Sequence, residues 1–336
     1  MIVDCHVHFT TEPKALLDFR ERQIAALKDS AKPPDPKAVE ITDDDLRACI
    51  EPAQLKVQSE RGIDLTLLSP RASGMGHHIG DFDTSLAWSR LCNDLIARVS
   101  RIFPGRFAGV CQLPQSPGVP PERCIDEIER CVHELGIVGF NLNPDPSGGY
   151  FNSPPLTDKW WYPIYEKLVE LDVPAMVHVS ASCNPALHFS GSYYINADTM
   201  GFVQLILSDL FEKFPKLRLI IPHGGGAAPF HWGRYRGIAL QSGKPELSEI
   251  VAQNIFFDTC VYHQAGIDLL TQIVPTDNIL FASELIGAVK GVDPATGYYF
   301  DDTRRYVEAA PITDAQRRKI FEQNSRRVYP RLGAKP

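Results

Sequence analysis

The sequence predicts an α/β fold, a (β/α)8 TIM barrel with an insertion after its first strand. Three observations point there. Short apolar runs bounded by turn residues recur along the chain, amphipathic helix-like stretches separate them, and the runs number eight. Alternation of this kind favours a parallel sheet, and eight units favour closing it into a barrel, which routinely occupies a chain of 336 residues as one domain. Residues 1–336 are therefore read as a single domain.

The first run is IVDCHVH from Ile2, in which Asp4, His6 and His8 take every second place. Next comes a Pro- and Asp-rich stretch, AKPPDPKAVEITDDD, within an insertion at about residues 10–50 that is expected to cap one end of the barrel. The second and third runs are DLTLLS from Asp64 and FAGVCQL from Phe107, and the fourth is IVGFNLN from Ile137, preceded by the amphipathic CIDEIERCVHELG. WYPIYEKLVELD leads to the fifth, PAMVHVS from Pro174. A long connection, SASCNPALHFSGSYYINADTM, and a predicted helix, GFVQLILSDLFEKFP, lead to the sixth, LRLIIPH from Leu217. NIFFDT from Asn254, the helical AGIDLLTQIV and NILFAS from Asn278 complete the set, followed by another long connection, ELIGAVKGVDPATGYYFDD. Both long connections follow strand C-termini, the catalytic face of such barrels. Thr313 and Gln316 form a capping-box pattern that opens a last helix packed outside.

Composition narrows the function classes. A net charge of -7 argues against a nucleic-acid partner, for which a basic patch is expected, and requires local arginines if the substrate is an anion. No apolar run approaches a membrane span, and a first strand at Ile2 leaves no room for a signal peptide, so a cytoplasmic protein is expected. The eight cysteines form no Cys-x-x-Cys and are expected to be reduced, with Cys124 and Cys131 on the core face of one helix.

In an extended chain residues i and i+2 share a face, so His6 and His8 offer two nitrogen ligands on one surface. Alone, the pair could equally be two hydrogen-bonded histidines in a buried strand. The other strand ends add to it: His178 from the fifth, His223 from the sixth and Glu284 from the eighth. Four imidazoles and a carboxylate at one barrel mouth suit a borderline-soft divalent ion such as zinc, with three or four protein ligands and an open position. The site predicted for one such ion is His6, His8, His178 and Glu284. His77 and His78 lie in a Gly-rich loop, His133, His188, His231 and His263 lack a paired ligand, and all six are read as structural. HGGG at His223 has no accompanying Gly-x-Ser-x-Gly elbow, and GMGHHIG no following Lys-Ser or Lys-Thr, so neither a lipase-type nor a phosphate-loop reading is kept.

DCHVH, VHVS, PHGGGAAPF and ILFASE resemble the amidohydrolase superfamily, in particular the branch of amidohydrolase-related decarboxylases and hydratases that includes aminocarboxymuconate semialdehyde decarboxylase. The resemblance covers nearly the whole chain and implies a (β/α)8 barrel with a mononuclear metal. The family usually ends strand 8 with Gly-Ser-Asp, whereas this sequence has FASELIG, with Glu284 in the aspartate's place. Strand 4 carries Asn141 and Asn143 and no lysine, so the carbamylated bridge of binuclear members is absent. The glutamate and the flanking loops imply a hydratase that adds water to an unsaturated oxo-tricarboxylate in bacterial protocatechuate 4,5-cleavage. A decarboxylase of the same branch and a metal-dependent hydrolase are the alternatives.

Metal coordination lowers the pKa of water to about 7. Addition to a double bond conjugated to a ketone then needs a proton-transfer group, for which Glu284 is the candidate, and a donor to the enolate oxygen, for which His223 is. Arg71 and Arg234 are candidate carboxylate anchors, with Tyr194 and Asn196 as hydroxyl and amide contacts. In the decarboxylases the arginine matching Arg234 enters the neighbouring subunit's site, which implies a homodimer or higher oligomer.

Overall fold

The computed structural model describes residues 1–333. β1 (Val3–Phe9), β2 (Leu65–Pro70), β3 (Phe107–Gln112), β4 (Gly139–Leu142), β5 (Ala175–Val177), β6 (Leu219–Ile221), β7 (Ile255–Asp258) and β8 (Ile279–Leu280) form one sheet in sequence order. Every adjacent pair is parallel, and each strand falls within one residue of a predicted run, its ends differing by at most three residues. Past β8 the chain bonds back to β1: the Cys5 N–H donates to the Phe281 carbonyl and the Glu284 N–H to the His6 carbonyl, both at 2.9 Å. The sheet is therefore curled, and the α/β architecture is consistent with a TIM barrel.

Strand side chains divide by pleat into two apolar populations. Leu67, Val110, Val138, Met176, Ile220, Phe256 and Leu280 form an inner cluster, joined by Tyr329 and Leu332 from the C-terminal segment. Leu68, Cys111, Phe140, Val177, Ile221, Phe257 and Ile279 face outward and pack with helix residues such as Ile96, Ile128 and Leu168. β1 breaks the alternation. Val3 and Cys5 lie in the inner cluster, Val7 and Phe9 in the outer one, and the pairing with β2 shifts register between Asp4 and Val7. An irregularity of that kind inserts a residue and reverses the parity of the positions beyond it, turning His6 and His8 inward above Val3 and Cys5.

The β1–β2 connection contains helices Lys14–Lys28 and Asp43–Ile50, the second opened by a capping box from Thr42 and Asp45. Helices Ile125–His133, Tyr162–Glu170 and Gln264–Ile273 fall where periodicity placed them. The helix expected from Gly201 instead spans Tyr194–Ile206 and stops at Leu207, and a separate turn, Leu210–Lys213, comes after it. Ser208 Oγ accepts from the Leu210 N–H at 3.2 Å, which offers the backbone an alternative to the helical ladder. Thr313 caps the helix Asp314–Arg318 through Gln316, as the sequence predicts. All eight cysteines are free, and Cys124 and Cys131 are buried. Among the described residues no helix is long and apolar enough to cross a membrane.

Candidate metal centre and active site

The site lies where the inner strand positions pass beyond the apolar cluster. His178 is two residues past Met176, Asp258 two past Phe256 and Glu284 four past Leu280, so each keeps its predecessor's inward direction. His6, His8, His178 and Glu284 each offer a ligand atom, and these atoms all lie within 4.8 Å of one another.

The partners of the outer nitrogens set the tautomers. His178 Nδ1 is 2.6 Å from the Val179 carbonyl, and His8 Nδ1 lies 2.8 Å from Ser69 Oγ and 3.2 Å from the Pro70 carbonyl. A carbonyl only accepts, so both Nδ1 atoms carry the proton. His6 Nδ1 faces the buried Asp258 carboxylate at 2.7 Å, which favours the same tautomer. Three bare Nε2 lone pairs then converge, with His6 and His8 at 3.1 Å and His8 and His178 at 3.3 Å. Lone pairs so placed repel unless a Lewis acid lies between them. Four ligands around a tetrahedral cation, at metal–nitrogen distances of about 2.1 Å, stand about 3.4 Å apart, so the spacing fits such an ion. Burial and the neighbouring His6 push His8 down to about 3, and burial with His8 and His6 holds His178 well below the usual imidazole range, which favours the neutral form of both.

The fourth histidine differs. His223 Nδ1 is 2.8 Å from Asp198, and Nε2 is 3.5 Å from Glu284 Oε1. Burial pulls its pKa down, but the two carboxylates outweigh burial and hold it well above the ordinary value, which favours the protonated form of His223. Burial pushes the Glu284 carboxyl up, while His223 and then His6 and His8 hold it below the carboxylate range. Tyr262 donates a short hydrogen bond to Glu284 Oε2. His223 and Glu284 also have φ of 52° and 51°, left-handed values that non-glycine residues adopt at a cost and that cluster at functional sites. The turn around His223 depends on Gly224, at φ 66°, where a Cβ would stand 2.4 Å from Val261 Cγ2.

A cavity of about 250 Å³ opens beside the cluster, lined by His8, Arg71, Tyr194, Phe189, Glu284 and Lys290 among others. Arg71 thus reaches the site, paired with Glu12 at 2.9 Å. Tyr194 and Asp198 stand four apart on one face of helix Tyr194–Ile206, entered through a wide turn, Phe189–Tyr193. The expectation that Asn196 acts beside Tyr194 is corrected: both are in this helix rather than a loop, and two positions turn Asn196 about 200° away, to the exposed side. Arg234 is exposed on helix Trp232–Gln241 and does not line this cavity.

Sequence reasoning missed Asp258, Asp198, Tyr262, Ser69 and Lys290. Asp258 had a signal, a carboxylate ending the apolar run NIFFD at a strand C-terminus. Ser69 had a similar one, as the polar residue ending the run DLTLLS, and the other three had none. His77, read as structural, is buried and bonded to Ser180 and to the Leu113 carbonyl, each at 3.0 Å.

A curled parallel eight-stranded sheet with a histidine-rich centre at its strand C-termini defines a class of metal-site proteins. The amidohydrolase family profile matches residues 3–331, and the chain belongs to that family. Over 335 residues it is 58% identical to the 2-keto-4-carboxy-3-hexenedioate hydratase of a Sphingobium species, covering 100% of this chain and 98% of that one. Its structure is similar to that of 4-oxalomesaconate hydratase from Rhodopseudomonas palustris, with TM-score 0.93, 56% identity, and 99% and 97% of the two chains covered. The gamma-resorcylate decarboxylase of a Polaromonas species is more distant, 27% identical over 83% of this chain and 87% of its own.

Proposed function

We propose that the protein is a metal-dependent hydro-lyase that adds water across the double bond of 2-keto-4-carboxy-3-hexenedioate, giving 4-carboxy-4-hydroxy-2-oxoadipate in protocatechuate 4,5-cleavage. The observation that carries this reading is the full-length 58% identity to a hydratase of that substrate. His6, His8, His178 and Glu284 hold one divalent cation, zinc by the nitrogen-rich donor set. When bound, the cation supplies Lewis acidity.

The chain's own groups account for the remaining chemistry. The water oxygen joins C4, the carbon conjugated to the ketone, and the electron pair of the double bond moves to the ketone oxygen as an enolate. Glu284 takes the proton from water and returns one to C3. The His223 imidazolium, held by Asp198, donates to the ketone oxygen as charge develops there. Arg71 binds a substrate carboxylate, Tyr194 presents its hydroxyl to the same cavity, and Arg234 serves a neighbouring subunit's site in a homo-oligomer. The chain is one TIM-barrel domain over residues 1–336, its insertion at about residues 10–50 capping the catalytic end, and it works in the cytoplasm in the degradation of lignin-derived aromatics.

The test tracks the absorbance of the conjugated substrate together with carbon dioxide and bound metal. Bleaching without carbon dioxide, by protein holding one divalent ion per chain, is the expected result. Carbon dioxide released in step with bleaching transfers the assignment to the decarboxylase reading, and full activity without metal removes the cation.

A further inference from the structure

The cavity wall carries two cations, and their surroundings differ. Arg71 reaches it from the end of β2 with the buried Glu12 against it at 2.9 Å, and although burial pushes that carboxyl up to about 7, its ionised fraction partly opposes the Arg71 charge. Lys290 reaches it from the loop after β8 and has no ion-pair partner among the described residues. Lys290 also borders a neighbouring cavity of about 590 Å³, whose other cations are paired: Arg61 with Asp301, Arg305 with Asp302 and Lys56 with Glu60.

The loop is held at its base. The Thr10 hydroxyl donates to the Ile286 carbonyl at 2.8 Å, the Ile286 N–H donates to Asp301 Oδ2 at 2.8 Å, and Asp301 is clamped by Arg61 at 2.7 Å. One short segment therefore carries both Glu284 and Lys290 to the same cavity. A polyanion approaching a chain of net charge -7 is repelled at long range, so cations at the mouth, the exposed Lys290 among them, must offset that field locally.

We propose that Lys290 is a specificity-determining residue that takes one carboxylate of a tricarboxylate substrate at the mouth of the site, while Arg71 takes another from the β2 side. The proposal rests on the hydratase reading for the substrate class. A lysine suits the task because a mobile point charge meets a carboxylate without the fixed fork of arginine.

The experiment compares metal-loaded wild type, Lys290→Met and Lys290→Arg. Steady-state hydration is measured with 2-keto-4-carboxy-3-hexenedioate, and binding of propane-1,2,3-tricarboxylate and of glutarate by calorimetry. Lys290→Met should raise KM and weaken tricarboxylate binding about five- to tenfold, with kcat nearly unchanged, a flatter salt dependence and glutarate binding unaffected. Lys290→Arg should recover most of the loss. Tricarboxylate binding within about twofold of wild type in Lys290→Met, equal weakening for both acids, or no tricarboxylate binding by wild type overturns the proposal. Should wild type fail to hydrate the substrate, the hydratase reading falls and the binding data still decide the role of Lys290.

Discussion

The same strands build two layers of opposite character. In the lower layer Leu67, Val110, Met176, Ile220, Phe256 and Leu280 fill the sheet's interior with apolar side chains. One or two inward positions further on, Ser69, His178, Asp258 and Glu284 are just as buried but polar. Burial alone therefore does not distinguish core from site. In the lower layer burial removes apolar area from water and stabilises the fold, whereas in the upper layer it desolvates charge and must be offset by partners. Those partners, Asp258 for His6, Asp198 for His223 and Tyr262 for Glu284, are what make the upper layer chemically competent.

The largest effect should come from the upper layer. Glu284→Gln keeps the shape and one candidate ligand oxygen but removes the base, so turnover should fall roughly 10² to 10⁴-fold even in protein that has been reloaded with metal. Rate and elemental analysis on the same preparation check it, and near-normal turnover with metal bound would show that the carboxylate is not the proton-transfer group. Below it, Phe256→Ala should cost about 3–5 kcal/mol of stability while turnover per folded molecule stays near wild type. Chemical denaturation with activity at low denaturant measures both. If this substitution abolished turnover in fully folded protein, the two layers would not be separable.

Asp258→Asn tests the boundary between them. The amide still reaches His6 Nδ1 but no longer favours the tautomer that frees Nε2, so metal affinity should fall about 10–100-fold with a smaller loss of stability. Competition with a chelator reports it. The smallest effect lies outside both layers, at Glu127, buried in helix Ile125–His133 and bonded to Arg130, Asn93 and Arg90. Burial raises its carboxyl, but these bonds outweigh burial and hold it below the usual value. Its stabilisation is therefore fully present above the unfolded pKa of about 4.3 and is lost as pH falls through the folded value. Glu127→Gln should flatten the acid side of the stability profile, read by denaturation at a series of pH values, and leave metal binding untouched.

Much of this was legible in the linear order of residues. Strand runs and helical periodicity are local properties, so all eight strands and most helices can be read from pattern, and because β/α units present their strand C-termini together, the polar residues ending each run identify His6, His8, His178, His223 and Glu284 as one group. Contacts between distant strands are not local. Simple alternation puts Asp4 on the face of His6 and His8, yet the register shift in β1 separates them and sends Asp4 to Ser283 across the seam with the end of β8. Asp198, Tyr262 and Lys290 come from a helix and two loops with no distinguishing pattern, and their roles arise only when the curled sheet sets β5 beside β6, β7 beside β8, and the end of β8 against β1. The sequence by itself determined the fold class and the candidate ligands, because each rests on a period or a strand end. Tertiary structure alone decided which groups orient those ligands, which nitrogens are bare and which cations reach the cavity, because each depends on through-space neighbours many residues apart.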